Sequence, residues 1–325
     1  MVQSVQVQDE KEAIRTALKK KDFLTLDEFD SKELLYMLDE AMQLKQMQKA
    51  GKPHPFLNGK VLGMIFEKSS TRTRVSFEVG MLQLGGNAIF LSSKDIQLGR
   101  GESVYDTANV LSRYVDGIMI RTFEHSKIVE FAEAASVPVI NGLTNEHHPT
   151  QVLADLLTIF EHKGSFENLK ICYIGDGNNM AHSLIEGAVK VGMDISIASP
   201  KGYAPDDSIV QQAKKVALQT GANIHILENP IEAVSGADVI VTDVWASMGQ
   251  EEEQQKRMEI FKPYQVNAEL CKYAKEDFIF LHCLPAHRGE EVTAEIIDGK
   301  HSVVFDEAEN RLHAQKAILK LLMKN

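Results

Sequence analysis

Several short stretches of this chain gather residue types that handle anions and reactive carbonyls. The first is Glu67-Lys68-Ser69-Ser70-Thr71-Arg72-Thr73-Arg74. Hydroxyls, guanidinium groups and the N–H groups of a helix start converge there, an arrangement that binds phosphate. The Gly-x4-Gly-Lys frame of a Walker loop is absent, and a capped helix with solvated arginines is the alternative reading. Met119-Ile120-Arg121-Thr122 ends an apolar run with an arginine, well placed for an anion or a developing oxyanion. Asn145-Glu146-His147-His148-Pro149-Thr150-Gln151 sets a histidine before a proline. That position is biased away from helix, so His148 can polarise a carbonyl or shuttle a proton. Taken alone, Arg121 also reads as a surface arginine and His148 as a structural loop histidine.

A second group lies further along. Gly175-Asp176-Gly177-Asn178-Asn179-Met180 is half of a dinucleotide fingerprint, but Met180 stands where the third glycine belongs, which disfavours a nicotinamide cofactor. The amides of Asn178 and Asn179 suit a carboxylate. Asp243 closes an apolar run and suits a substrate ammonium, or else caps a helix. Ser247-Met248-Gly249 follows, then a charged stretch at 250–257 that reads as a mobile loop. Leu281-His282-Cys283-Leu284-Pro285-Ala286-His287-Arg288-Gly289 places a thiol beside two histidines. It reads as a nucleophile, a zinc ligand, a substrate contact or an inert buried cysteine. Zinc needs about three or four ligands. His282, Cys283 and His287 supply three at most, with no second ligand pair in sequence, so a metal is disfavoured.

The elements that must position these residues follow from hydrophobic period. Short apolar runs at 61–66, 88–91, 117–120 and 137–140 alternate with helical patterns at 71–84, 102–114, 124–135 and 150–163. The helix at 31–49 takes Ser31 as its N-cap, and that at 71–84 carries Val75, Val79 and Leu82 on one face. A second series has strands at 169–174, 195–198, 224–227, 239–242 and 278–281, with helices at 179–191, 206–220 and 308–323. This alternation means parallel sheets with helices on both faces. The expected fold is α/β with two domains, each a parallel sheet flanked by helices. One helix joins them, and the active site lies in the cleft. The expected boundaries are an N-terminal extension at 1–22, loose or a fraying helix, domains at 23–150 and 151–307, and a C-terminal helix at 308–325 returning to the first domain.

Composition agrees with a globular chain. Its 325 residues are 44 % hydrophobic and 25 % charged, and the net charge of −11 disfavours broad nucleic-acid binding. Three cysteines with no CxxC pair fit a reducing compartment. The N-terminus reads as no secretory signal and no apolar stretch reads as a membrane helix, so a cytoplasmic protein is expected.

In order, Ser70-Thr71-Arg72-Thr73, Arg121, His148-Pro149-Thr150-Gln151 and the Cys283-Leu284-Pro285 loop resemble the aspartate/ornithine carbamoyltransferase superfamily over about residues 20–325. Asp243 with Ser247-Met248-Gly249, and His282-Cys283-Leu284-Pro285, resemble its ornithine-using members rather than those using aspartate or putrescine. The resemblance implies transfer of a carbamoyl group from carbamoyl phosphate to L-ornithine, giving citrulline, with no metal or organic cofactor. It implies carbamoyl phosphate held by Ser70, Thr71, Arg72, Thr73, Gln97, Arg121, His148, Pro149, Thr150, Gln151 and Arg311, with the backbone of Cys283 and Leu284. It implies ornithine held by Asn179, Asp243, Ser247 and Met248. Catalysis would fall to Arg72, Arg121, His148, Asp243 and Cys283. It further implies a homotrimer, or a multiple of trimers, in which Gln97 reaches a neighbour's site.

Overall fold

The computed structural model describes residues 2–19, 21–99, 101–246 and 253–324. They form two compact units, Met1–Ala154 with Asn310–Asn325, and Asp155–Glu309.

In the first unit the apolar runs form β1 (Val61–Phe66), β2 (Asn87–Ser92), β3 (Gly117–Arg121) and β4 (Val139–Leu143). They pair in parallel in the order β2-β1-β3-β4. β3 is buried along its whole length, as an inner parallel strand covered on both faces must be. Ile65, Ile118, Ile120 and Val139 pack there with Ile128 and Phe131 of the helix His125–Ala134.

Residues 2–18, expected to be a loose extension or a fraying helix, form the helix α1 (Val2–Leu18), whose Leu18 is buried. Lys11 pairs with Asp39 at 2.7 Å and Glu10 with Lys32 at 2.6 Å, joining it to α2 (Ser31–Lys49). The N-cap of α2 is Asp30 rather than Ser31, because Glu33 completes a capping box with it: the Glu33 N–H donates to Asp30 Oδ1 at 2.8 Å and the Asp30 N–H to Glu33 Oε2 at 3.0 Å. In α3 (Thr71–Gln83) the face that packs inward is Thr73, Phe77, Gly80 and Met81, whereas Val75 and Leu82 are exposed. Gly80 decides this. A Cβ on it would stand 3.3 Å from Lys316 Cγ and 3.7 Å from Leu312 Cδ1, so its bare backbone admits the C-terminal helix.

The second unit holds β5 (Lys170–Ile174), β6 (Asp194–Ala198), β7 (Ile224–Leu227), β8 (Val239–Thr242) and β9 (Ile279–His282). They are parallel in the order β7-β6-β5-β8-β9. Cys172, Ile174, Ile240, Phe280 and Val292 lie in its core. The helices Pro149–Lys163 and Val304–Met323 both cross the division between the units, where the sequence pattern suggested one joining helix. The stretch at 250–257 is not all loop: Gln254–Phe261 is helical and Arg257 is buried. Among the described residues no helix is long and apolar enough to cross a membrane.

Each sheet reverses its winding once, between β1 and β3 and between β5 and β8. Ligands of open α/β sheets bind beyond the carboxyl ends of the strands at such points. Beyond the first lie the 67–74 loop and Arg121; beyond the second lie the 175–178 loop and Asp243.

Candidate active site

In the first unit, Ser70 caps α3 by accepting the Thr73 N–H at 3.2 Å. Thr73 is 1 % exposed, and its Oγ1 accepts Arg311 Nη2 at 3.0 Å and lies 3.5 Å from Arg121 Nη1. Arg311 Nη1 donates to Gln151 Oε1 at 2.7 Å. Four residues from four parts of the sequence are thus one buried, hydrogen-bonded group. Burial, then the charges of Arg311, Arg121 and Arg72, hold the His148 pKa well below its ordinary 6.5. His148 is therefore a neutral imidazole at physiological pH, able to hydrogen-bond a carbonyl without adding charge.

Lys68 strengthens the positive field. Its Nζ donates to Asn145 Oδ1 at 2.6 Å and lies 4.3 Å from the centre of the Phe123 ring. Burial, then Arg121, lowers its pKa to about 8. The sequence reading quoted Lys68 within the loop but assigned it no role; its place between two strand-end stretches was the available signal. Glu67 beside it accepts the Thr122 hydroxyl and the Lys127 ammonium. Pro149 opens its helix, and Thr150 is fully buried behind it. Thr71 is exposed in the first turn of α3. Gln97 is exposed in the short turn Gln97–Gly99, and none of the hydrogen bonds above reaches it.

In the second unit, Asp243 is the junction. Its Oδ1 accepts the Val244 N–H at 2.8 Å and the Cys283 thiol at 3.2 Å, and its Oδ2 accepts Asn178 Nδ2 at 3.1 Å. Asn178 Oδ1 caps the helix Asn179–Val191 through the Met180 N–H at 2.9 Å and also accepts the Tyr173 hydroxyl at 3.2 Å. Asn178 is thus committed within the protein, while Asn179 is half-buried at the first helical position. Burial, then Asp243 and Glu307, push the Cys283 thiol well above its ordinary 9.0. It is an S–H donor to Asp243, and the thiolate-nucleophile reading loses its support.

The Cys283 loop is tightly held. His282 Nδ1 accepts the Leu284 N–H at 2.9 Å, its Nε2 donates to Glu291 Oε1 at 3.1 Å, and its backbone N–H donates to Glu307 at 2.8 Å. These bonds hold Leu284 at φ +56°, where a branched side chain is strained. Arg257, expected in a mobile loop, instead donates to Asp176 Oδ2 at 2.7 Å and to the Trp245 carbonyl at 2.9 Å. The two partners stand 81 positions apart, and no motif links them. Ser247 and Met248 lie outside the described residues.

The chemistry divides accordingly. The first constellation is cationic and suits a phosphate beside a carbonyl; the second presents a buried carboxylate with neutral donors and suits an amine.

Comparison with known proteins gives the same division. Residues 21–161 match the model for the aspartate/ornithine carbamoyltransferase carbamoyl-P binding domain, and residues 167–322 match that for the Asp/Orn binding domain. A Bacillus subtilis relative named ornithine carbamoyltransferase is 61 % identical over 309 residues, 95 % of this chain and 96 % of that one. A relative of the same name from Anoxybacillus flavithermus is 60 % identical over 306 residues, 94 % and 98 % of the two chains. The solved ornithine carbamoyltransferase of Pyrococcus furiosus is 54 % identical, with a TM-score of 0.92 over 94 % of this chain and 98 % of that one. The chain belongs to the aspartate/ornithine carbamoyltransferase family.

Proposed function

We propose that this chain transfers the carbamoyl group of carbamoyl phosphate to the δ-amine of L-ornithine, giving L-citrulline and phosphate in arginine metabolism. The observation that carries the reading is that a chain about 60 % identical to proteins bearing that name has a buried cationic group around Thr73 in its first unit and a buried carboxylate, Asp243, in its second. Arg72, Arg121, Arg311 and the hydroxyls and N–H groups of Ser70, Thr71 and Thr73 hold the phosphate. Gln151 and the Cys283–Leu284 backbone orient the carbamoyl group. His148 hydrogen-bonds the carbonyl oxygen.

Asp243, with Cys283, orients the amines of ornithine, and Asn179, Ser247 and Met248 complete its binding. The δ-amine attacks as the free base, although an alkylammonium has a pKa of about 10. Cationic, dry surroundings favour the neutral amine. Its lone pair forms the new C–N bond at the carbonyl carbon, and Arg72, Arg121 and His148 stabilise the tetrahedral oxyanion. The C–O bond to phosphate then breaks, and the excess proton on nitrogen leaves with the phosphate. Bond formation requires both half-sites to contact one pair of substrates in the reacting enzyme.

Self-association as a homotrimer, or a multiple of trimers, is part of this reading. Its support is an apolar surface on the first unit: Val75 and Leu82 of α3, with Ile89 and Phe90 of the edge strand β2, are all exposed. Gln97 then reaches carbamoyl phosphate in the neighbouring subunit. The cytoplasm is the expected compartment. Initial rates of ureido-product formation with ornithine, aspartate and putrescine test the assignment. Ornithine should dominate kcat/KM by about 100-fold or more, because a second carboxylate beside Asp243 is repelled and putrescine lacks the α-carboxylate. Comparable values for any two of the three overturn it.

A further inference from the structure

The turn after the Cys283 loop carries His287, Glu290 and Glu291, and none of the chemistry above uses it as a ligand group. Glu291 is fully buried. Its Oε1 accepts His282 Nε2 at 3.1 Å and the His287 backbone N–H at 2.6 Å, while its Oε2 is buried without a hydrogen-bond partner. A bare buried carboxylate oxygen is costly and calls for a counter-charge. It faces His287 Nδ1 at 3.9 Å, and Glu290 Oε2 lies 3.5 Å from that nitrogen. One ligand atom from each of the three residues lies within 4.8 Å of the others. Two ligand atoms each about 2.1 Å from a tetrahedral ion are about 3.4 Å apart, so small inward rotations of His287 and Glu290 suffice to seat one.

The backbone beneath these side chains is already fixed. Gly289 takes φ +93°, and the turn closes through Glu290 N–H to the His287 carbonyl at 2.9 Å and Gly289 N–H to the Val292 carbonyl at 2.8 Å. Gln265 Nε2 donates to the carbonyls of Gly289 and Glu290, both at 2.9 Å, and the Val266 N–H donates to the Glu291 carbonyl at 2.8 Å. We propose that His287 Nδ1, Glu290 and Glu291 Oε2 form a binding site for one divalent first-row transition ion, with water completing the shell on the exposed side. A nitrogen and two carboxylates suit zinc, cobalt or manganese. Asp243, His282 and Cys283 also cluster within 4.8 Å. There, however, both His282 nitrogens are engaged and Cys283 keeps its proton. Of the two histidines and the cysteine that the sequence offered as zinc ligands, His282 and Cys283 thus stay together beside Asp243, and only His287 belongs to this site.

The ion takes no part in carbamoyl transfer. It neutralises Glu291, which also anchors His282 and through it the Leu284 N–H, so it braces the loop. The inference does not depend on which amine the enzyme uses. The test is cobalt(II) absorption by the chelator-stripped full chain, with zinc competition. Cobalt should bind at one ion per chain, with visible ligand-field bands and no thiolate-to-cobalt charge transfer. His287→Ala, at a half-exposed side chain, and Glu290→Gln should each weaken binding by about 10-fold or more. Zinc should raise the Tm of the wild type but not of His287→Ala. No saturable uptake, a thiolate band, or unchanged affinity in His287→Ala overturns the proposal.

Discussion

Thr73→Val isolates how the cations proposed to hold phosphate are aimed. Thr73 Oγ1 accepts Arg311 Nη2 at 3.0 Å in a site 1 % exposed, and Arg121 Nη1 stands at a marginal 3.5 Å. Valine keeps the branched shape and leaves the Thr73 N–H on Ser70 untouched, so the change removes one good charge-assisted bond. Such a bond contributes about 1.5–3 kcal/mol, and 1.4 kcal/mol is about a factor of ten, so kcat/KM for carbamoyl phosphate should fall about 10- to 150-fold. The ornithine KM at saturating carbamoyl phosphate should change by less than about two-fold, because Asn179 and Asp243, proposed to hold ornithine, belong to the other unit. Thr73→Ser retains the oxygen and should stay within about three-fold of wild type. The assay is initial rate against each substrate, with circular dichroism confirming the fold. A folded Thr73→Val enzyme within about two-fold of wild type refutes the reasoning.

Further outcomes follow from the same geometry. Cys283, held protonated by burial and Asp243, should react with iodoacetamide at about pH 8 more than ten-fold slower than a free thiol, and Asp243→Asn should speed it; mass spectrometry of timed samples checks both. Lys316 is fully buried, donating to Gln48, Gln83 and His54, with its pKa lowered from 10.5 to about 8 by burial. A lysine that gives up its proton more easily when folded adds stability as pH rises. Urea midpoints should therefore show a gain of up to about 3 kcal/mol between roughly pH 8 and 10.5, absent below that window and flattened by Lys316→Met. On the proposed trimer, Arg72→Met and Gln97→Ala, inactive separately, should recover roughly a quarter of wild-type activity when refolded together, because a heterologous ring would unite both intact residues at that share of interfaces. Mixed trimers that remain inactive would place Gln97 outside the neighbour's site.

The inner strands were legible because parallel strands buried on both faces must be short apolar runs; 61–66 and 239–242 have the predicted bounds, as does the edge strand 224–227. The switch-point loops were legible because phosphate chemistry demands hydroxyls and guanidinium groups at strand ends. What the sequence hid was set by packing between distant segments. Val75 and Leu82 have the period of a buried face, yet it is the face bearing Thr73, Phe77, Gly80 and Met81 that packs inward, with Gly80 close to Lys316 and Leu312. Arg257 lies among charged residues and reads as solvated, yet Asp176 and the Trp245 carbonyl take it into the interior. Asn178 and Asn179 are indistinguishable in sequence; only the helix start at 179 commits one of them to capping. Glu291 lies nine positions beyond His282, and only the fold brings its carboxylate against the imidazole.

The central claim is that the carbamoyl carbon moves from phosphate to the δ-nitrogen of ornithine. Carbon-13-labelled carbamoyl phosphate, L-ornithine and the enzyme, followed by NMR with phosphate measured in parallel, test it directly. The label should appear in the ureido carbon of citrulline, one for each phosphate released, with no faster release when enzyme is present without ornithine. Enzyme-dependent phosphate release without labelled citrulline, or label carried on the protein itself, would contradict it.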